Sequence, residues 1–390
     1  MQSGFDLPAP EADALAHSER VRDLVAARIA ASGGFLSFAE YMETVLYAPG
    51  LGYYSAGAQK FGAGGDFITA PELGAVFGRC LARLAGPALR QLGGGVILEV
   101  GGGSGMLAAD LLLALRDEPP ERYLLLDVSG DLRERQRQTL AARVPELLPR
   151  VTWLDALPAE PWHGVLLANE VLDALPVERI RMRKGRPLQL GVQLVGSRFG
   201  WAEQPAPGSL ASAVDDLQAA LGEPLPEGYT TEIGLRHRDW LGSLLGTLGR
   251  GLALCIDYGG TRRELYHAGR SAGTLVCHYR HRQHTDPFFL PGLQDVTAWV
   301  DFSAAADAAA VAGLRVAAYG TQAHTLLAAG ILDGLEGTGS GTDPGRYREL
   351  QQVQRLLMPG DMGERFKVLA LTRSFTPDLP LTVRDQKARL

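Results

Sequence analysis

Residues 97–106 read ILEVGGGSGM. An apolar run carrying one acid, Glu99, meets four glycines within five residues, 101–105. Such a loop lets a backbone approach a ligand closely after a buried strand. The rhythm that follows supports the strand. VILEV (96–100), YLLLDV (123–128), VTWLDA (151–156) and GVLLANE (164–170) are apolar runs, the first two followed by the helical stretches MLAADLLLALR and DLRERQRQTLAARV. GLALCIDYGG (251–260), LRVAAYGT (314–321) and FKVLALTRS (366–374) complete seven strands. Strands separated by helices imply an α/β fold with a doubly wound parallel sheet. The order suggests that the last two strands pair antiparallel at one edge. In such sheets ligands bind at the carboxyl ends of the strands.

The chain has 390 residues, room for two domains or for one large domain with insertions. Hydrophobic residues make up 46% and charged residues 21%, as in a globular protein with a full core. The net charge of −6 lacks the footprint of a nucleic-acid binder. Cys80, Cys255 and Cys277 lie far apart, which argues against a disulfide framework and a zinc ribbon. No run reaches the ~20 apolar residues of a membrane span. The N-terminus, MQSGFDLPAPEADAL, has acids and prolines where a targeting peptide has bases and an apolar core. A cytoplasmic protein is the expectation.

Residues 1–90 read as helical. Ser18 stands where it could cap a helix with Val21, Leu24, Val25 and Ile29 on its apolar side, and Ser37 with Glu40 forms a capping box. GYYSAGAQKFGAGGDFITAPE (52–72) reads as an ordered loop, followed by a helix over about 71–90. The helical N-terminal region with its lid loop is therefore placed at 1–90. The sheet domain spans 91–374, with insertions at about 181–250 and 261–312, and 375–390 form a tail. The first insertion holds a hairpin, LQLGVQLVGSRFGWAEQ (188–204), and both insertions are expected to cap the strand ends. GLEGTGSGTDPG (334–345) is a low-complexity loop.

Three ligands compete for the glycine loop. A phosphate-binding P-loop needs Gly-Lys-Ser/Thr, and no lysine is present. A dinucleotide loop needs a third glycine where Met106 stands. The spacing is instead Gly101-x-Gly103-x-Gly105, preceded by Glu99. S-adenosylmethionine carries an ammonium, a carboxylate, a ribose diol and a sulfonium. Glu99 suits its amino-acid end, Asp127 the ribose hydroxyls and Asp155 the adenine amino group, with Val128 and Ala156 as neighbouring contacts. A single acid at a strand end can equally serve a helix N-terminus. Three such acids with the glycine spacing favour adenosylmethionine, and an NAD enzyme remains the alternative.

ANEVLDALPVERI (168–180) leaves the fourth strand with Asn169, Glu170 and Asp173. Two carboxylates three residues apart suit a cationic acceptor, and a guanidinium offers a planar fork of donors that a carboxylate grips bidentately. Alignment of nucleophile, methyl and sulfonium would then supply much of the rate. The structural alternative makes Asp173 the cap of a following helix and Glu170 a complement to its dipole.

Taken together, GYYS, GDFITAPE, LEVGGGSG, NEVLDALPV, IDYGG, PGLQDVTAWVDF, TQAHTLLAAGI and MGERFKVLAL resemble the MidA-like family of class I methyltransferases. That family includes the mitochondrial complex I assembly-factor arginine methyltransferase. The resemblance covers residues 34–372 in the family's order. It implies a Rossmann-like seven-stranded class I methyltransferase sheet, S-adenosyl-L-methionine as cofactor and ω-N methylation of an arginine on a protein partner. Carried over by position, Gly101, Gly103 and Gly105 form the cofactor loop, and Asn169, Glu170 and Asp173 lie at the transfer site. Trp299 stands where many members have another residue, such as His, and the N-terminus lacks the import signal of mitochondrial members, as in a bacterial relative.

Other residues are candidates of a second rank. Asp66, Thr69 and Glu72 could close over the cofactor, or act as caps. Tyr53 and Tyr54 read as core or lid aromatics. Asp257 and Tyr258 end the fifth strand and could line the acceptor pocket, with His281 as a further substrate contact. His278, His281 and His284 recur every three residues but lack a supporting cysteine or carboxylate pattern, so no metal is expected. A second copy of the chain is a candidate partner; nucleic acid and membrane are not. Two other functions remain open: an assembly or chaperone-like factor that holds adenosylmethionine structurally, and a small-molecule methyltransferase.

Overall fold

The computed structural model describes residues 7–56, 69–333 and 344–390. These form two compact units, Met1–Phe67 with Asp173–Arg238 and Thr261–Asp301, and Ile68–Leu172 with Asp239–Gly260 and Phe302–Leu390.

The second unit holds the seven-stranded sheet. Its strands are β1 (Val96–Val100), β2 (Arg122–Leu126), β3 (Val151–Leu154), β4 (Trp162–Asn169), β5 (Leu248–Gly260), β6 (Arg315–Thr321) and β7 (Phe366–Arg373). They lie in the order β6-β7-β5-β4-β1-β2-β3. β1, β2, β3, β4 and β5 run parallel, and only β7 is reversed, antiparallel to both β5 and β6. The expected antiparallel edge pair is present because β7 slots in between. This is a Rossmann-like class I sheet. The first four helices of this unit are α1 (Ala70–Leu73), α2 (Ala75–Leu92), α3 (Met106–Ala114) and α4 (Gly130–Arg143). Phe77, Leu81 and Leu84 of α2 join Leu107 and Leu111 of α3 and Ile97, Leu125, Val165 and Leu167 of the sheet in one core. Such burial of apolar surface is the main driving force for the layer.

One helix was expected over 71–90, and the structure breaks it in two. Gly74 has φ +141°, and a Cβ there would lie 2.4 Å from the Gln352 carboxamide. No L residue fits that kink comfortably, so α1 is a separate turn.

The first unit has its own core, built on helix Ala12–Ala31 and helix Phe38–Tyr47. The Ser37–Glu40 capping box is present. Ser18 does not cap; the helix starts six residues earlier, and the Ser18 hydroxyl donates to the Pro291 carbonyl at 2.9 Å. The hairpin at 188–204 is formed by Arg186–Val195 and Arg198–Pro205, which pair antiparallel. Glu178–Arg183 and Thr230–Ile233 extend that sheet. Val276–Tyr279, Arg282–His284 and Asp295–Thr297 form a small three-stranded sheet. Among the described residues no helix is long and apolar enough to cross a membrane.

Candidate cofactor and methyl-transfer site

Because β1 to β5 are parallel, the loops that leave them share one edge of the sheet. The loop after β1 turns through left-handed backbone at Gly101 (φ +69°), Gly103 (φ +53°) and Gly105 (φ +84°). The Gly101 N–H donates to the Leu126 carbonyl at 2.9 Å, and a Cβ on Gly105 would lie 2.9 Å from the α-carbon of Gln136. The spacing G-x-G-x-G is thus a backbone requirement at each of its three positions.

Glu99 is 2% exposed, and its carboxylate accepts the Tyr123 hydroxyl from β2 at 2.6 Å. Burial pushes its pKa up to about 7 against the lowering effect of that hydroxyl, and nearby Asp127 raises it further. Asp127, also buried, accepts the Ser129 N–H at 3.0 Å on Oδ1 and the Gln136 carboxamide at 2.9 Å on Oδ2. Burial raises its pKa as well, while those two donors and the Arg133 charge oppose the shift. Val128, next in the chain, is 76% exposed. An exposed apolar residue beside a buried acid suits an aromatic base next to a ribose.

Asp155 and Ala156 are exposed after β3. Arg133 bridges this end of the sheet, donating to the carbonyls of Asp127 and Leu154 and pairing with Asp155. The Asp155 carboxylate expected at the adenine amino group therefore already has a cationic partner.

Asn169 and Glu170 leave β4 half-buried. Glu170 has φ +53°, a left-handed conformation that costs a non-glycine residue about 1–3 kcal/mol and marks functional sites. Its Oε1 accepts the Asn169 carboxamide at 3.1 Å and the Ala70 N–H of α1 at 3.3 Å. The buried Asn169 Oδ1 has no hydrogen-bond partner among the described residues. Glu72 of α1 accepts the Ser104 hydroxyl, so α1 ties the glycine loop to the acid after β4. Thr69, the residue before α1, is buried, and its side chain makes no cap bond. Asp66 lies outside the described residues.

No helix follows Glu170; the chain turns and enters strand Glu178–Arg183. The helix-capping explanation of Asp173 and Glu170 is thereby removed. Asp173 is buried in the first unit, where its carbonyl accepts the Ala298 N–H at 3.0 Å and its charge helps raise the pKa of Tyr54. Tyr54 itself donates to Asp295 at 3.0 Å and stacks on Tyr47, and Tyr53 is 2% exposed in the same core.

Asp257 was expected to line an acceptor pocket, and the structure gives it another task. It is fully buried, and its Oδ2 accepts the N–H groups of Val171 and Leu172 at 3.2 and 2.9 Å. It fixes the loop that carries Glu170 rather than facing a ligand. Tyr258 packs edge-on against Phe366. His281 is exposed at the tip of the hairpin between Val276–Tyr279 and Arg282–His284, with Arg280 and His281 both left-handed. The three histidines thus divide between two strands and a turn; His278 is pushed down to about 4 by burial, and buried His284 is lowered too.

Gln136, Arg133, Trp153 and Ser104 were not singled out from the sequence. Gln136 had a signal: α4 buries Leu132, Gln136 and Leu140, so a polar residue occupies the middle of an apolar stripe. Arg133 is one of several arginines on a polar helix and had none.

The acids and the orphaned amide oxygen fit a cationic, diol-bearing ligand. The buried carboxyl with a pKa near 7 has no cation beside it among the described residues, and an ammonium would supply one. These are the features of an adenosylmethionine-dependent methyltransferase. The chain belongs to the family described as "Putative S-adenosyl-L-methionine-dependent methyltransferase", whose model matches residues 80–320. The mitochondrial protein arginine methyltransferase NDUFAF7 homolog of Drosophila melanogaster is 29% identical over 304 residues, 70% of this chain and 66% of the fly protein. NDUFAF7 of Danio rerio, likewise named a protein arginine methyltransferase, is 28% identical over 383 residues, covering 89% of this chain and 85% of the fish protein. A Burkholderia thailandensis protein crystallised with S-adenosyl-homocysteine is 43% identical, with a TM-score of 0.91 over 99% of this chain and 100% of that one.

Proposed function

We propose that the protein methylates an ω-nitrogen of arginine on a protein partner, in the cytoplasm, with Asn169 and Glu170 at the transfer site. The observation that carries this reading is the Asn169–Glu170 pair, a carboxylate held in left-handed backbone beside an amide oxygen with no partner among the described residues. The names of the fly and fish relatives support the acceptor.

In this reading Glu99 faces the cofactor's ammonium and Asp127 its ribose, with Val128, Asp155 and Ala156 along the adenine side. Gly101, Gly103 and Gly105 bring backbone against it, and Thr69 lies on the same ligand. When bound, the cofactor supplies an electrophilic methyl on its sulfonium. Glu170 accepts from the guanidinium fork, Asn169 Oδ1 takes a second N–H, and the pair fixes the nitrogen in line for transfer. The guanidinium nitrogen gives up a proton as it gains the methyl, and the Glu170 carboxylate receives it. Asp257 acts through the backbone by holding residues 171 and 172. Tyr258, at the end of β5, serves the acceptor side.

Glu170→Gln tests the assignment, since it keeps the size of the side chain and removes its charge. Calorimetry should find S-adenosylhomocysteine affinity within about twofold of wild type, with transfer to protein from a cell extract down by at least ~100-fold. A fully active variant would overturn the role of Glu170.

A further inference from the structure

We propose that Gln136 is a positioning residue for the cofactor, locking the glycine loop, Asp127 and β3 into one rigid rim that presents Asp127 to the ribose. This rests on the reading of Asp127 as the ribose ligand given above.

The argument starts from the helix. α4 is polar on its outer side and buries only Leu132, Gln136 and Leu140, one residue per turn. An apolar residue at the middle position would continue the stripe, yet Gln136 is fully buried there. Its carboxamide reaches three different segments. Nε2 donates to the Gly103 carbonyl at 3.1 Å and to Asp127 Oδ2 at 2.9 Å, and Oε1 accepts the Trp153 indole N–H at 2.9 Å. An amide has two N–H donors, and both are engaged. The helix backbone also abuts the loop, since a Cβ on Gly105 would meet the Gln136 α-carbon.

The consequence falls on Asp127. Each of its oxygens takes a donor from the protein, Ser129 N–H on Oδ1 and Gln136 on Oδ2. A carboxylate has about four lone-pair sites, so acceptor capacity remains on both oxygens while the plane of the group is fixed. The same carboxamide sets the spacing between that plane and Gly103. A side chain that served only packing would need none of these polar contacts.

The test separates positioning from stability. Gln136→Met keeps length and apolar volume, and Trp153→Phe removes the indole donor while keeping an aromatic ring. Full-length protein is titrated by calorimetry with S-adenosylhomocysteine and with its 2′-deoxy counterpart, and each variant's thermal midpoint is recorded. Wild type should prefer the hydroxylated ligand by about tenfold, the effect of one hydrogen bond to a charged group. Gln136→Met should weaken S-adenosylhomocysteine about tenfold while barely affecting the deoxy ligand, so that the preference collapses. Trp153→Phe should shift it in the same direction by less. Equal weakening of both ligands, or none, would overturn the proposal. A wild-type protein indifferent to the 2′-hydroxyl would instead remove the ribose assignment of Asp127, and the role of Gln136 with it.

Discussion

Glu99 shows how a single residue links stability to ligand chemistry. Its carboxyl titrates at 4.5 in a free chain and at about 7 in the folded protein. Below pH 4.5 both states hold the proton, and the folded state carries no burial penalty. As pH rises from 4.5 through 7 the folded state resists ionisation, and stability falls by ~3 kcal/mol in all. Glu99→Gln should therefore unfold in urea at a higher midpoint than wild type at pH 8 and at the same midpoint at pH 4, both without ligand. Parallel curves would show that burial does not govern this group. If Glu99 faces the cofactor's ammonium, binding at pH 6 should also release protons, seen as a dependence of calorimetric heat on the ionisation enthalpy of the buffer. At Gly103 a side chain must adopt φ +53° in the loop, so Gly103→Val should abolish S-adenosylhomocysteine binding, as read by the same titration. The glycine spacing and the strand-end acids were legible because each obeys a local rule. Asp257 was misread because an acid facing the rim and an acid tying down a backbone beneath it look alike in sequence.

At the scale of elements, β1, β4 and β5 meet at two glycines. Gly164 of β4 has φ +145° and Gly251 of β5 has φ +146°; the two stand opposite each other, and Gly164 stands opposite Val96 of β1. A Cβ on Gly164 would lie 1.9 Å from the Val96 carbonyl oxygen. Gly164→Ala should cost ~3 kcal/mol or more, measured by chemical denaturation, or prevent folding. Asp257→Asn turns one of two acceptors into a donor, either Oδ2, which holds the Val171 and Leu172 N–H groups, or Oδ1, which holds the Tyr258 N–H. Transfer should drop by at least ~10-fold with S-adenosylhomocysteine affinity within about twofold, because only the loop carrying Glu170 loosens. The seven strands could be read to within about three residues at each end, since buried apolar runs between helices have one common arrangement. The small sheet within 276–297 could not. Its tightest turn uses Arg280 and His281 in left-handed backbone, where sequence cues lead one to look for glycine or asparagine. Likewise Gly74 reads as an ordinary helix residue until its neighbour Gln352, far along the chain, is placed beside it.

At the scale of the whole molecule, two cores are drawn from six chain segments, three to each unit. The unit boundary at Leu172/Asp173 falls inside the motif NEVLDALPV, so a motif continuous in sequence contributes to both units. Sequence periodicity cannot reveal such a division, because it reports local burial and not which core a segment joins. The family, the sheet and the cofactor class were readable from the glycine loop outward. The acceptor rests on Asn169 and Glu170, and it is decided by where the methyl group goes. Wild-type protein incubated with methyl-labelled S-adenosylmethionine and a bacterial extract should place the label on arginine ω-nitrogens of a protein, identified by peptide mass spectrometry, and Glu170→Gln should not. Label found only on small molecules or on another residue type, or no label from a protein that binds S-adenosylhomocysteine, would contradict the account.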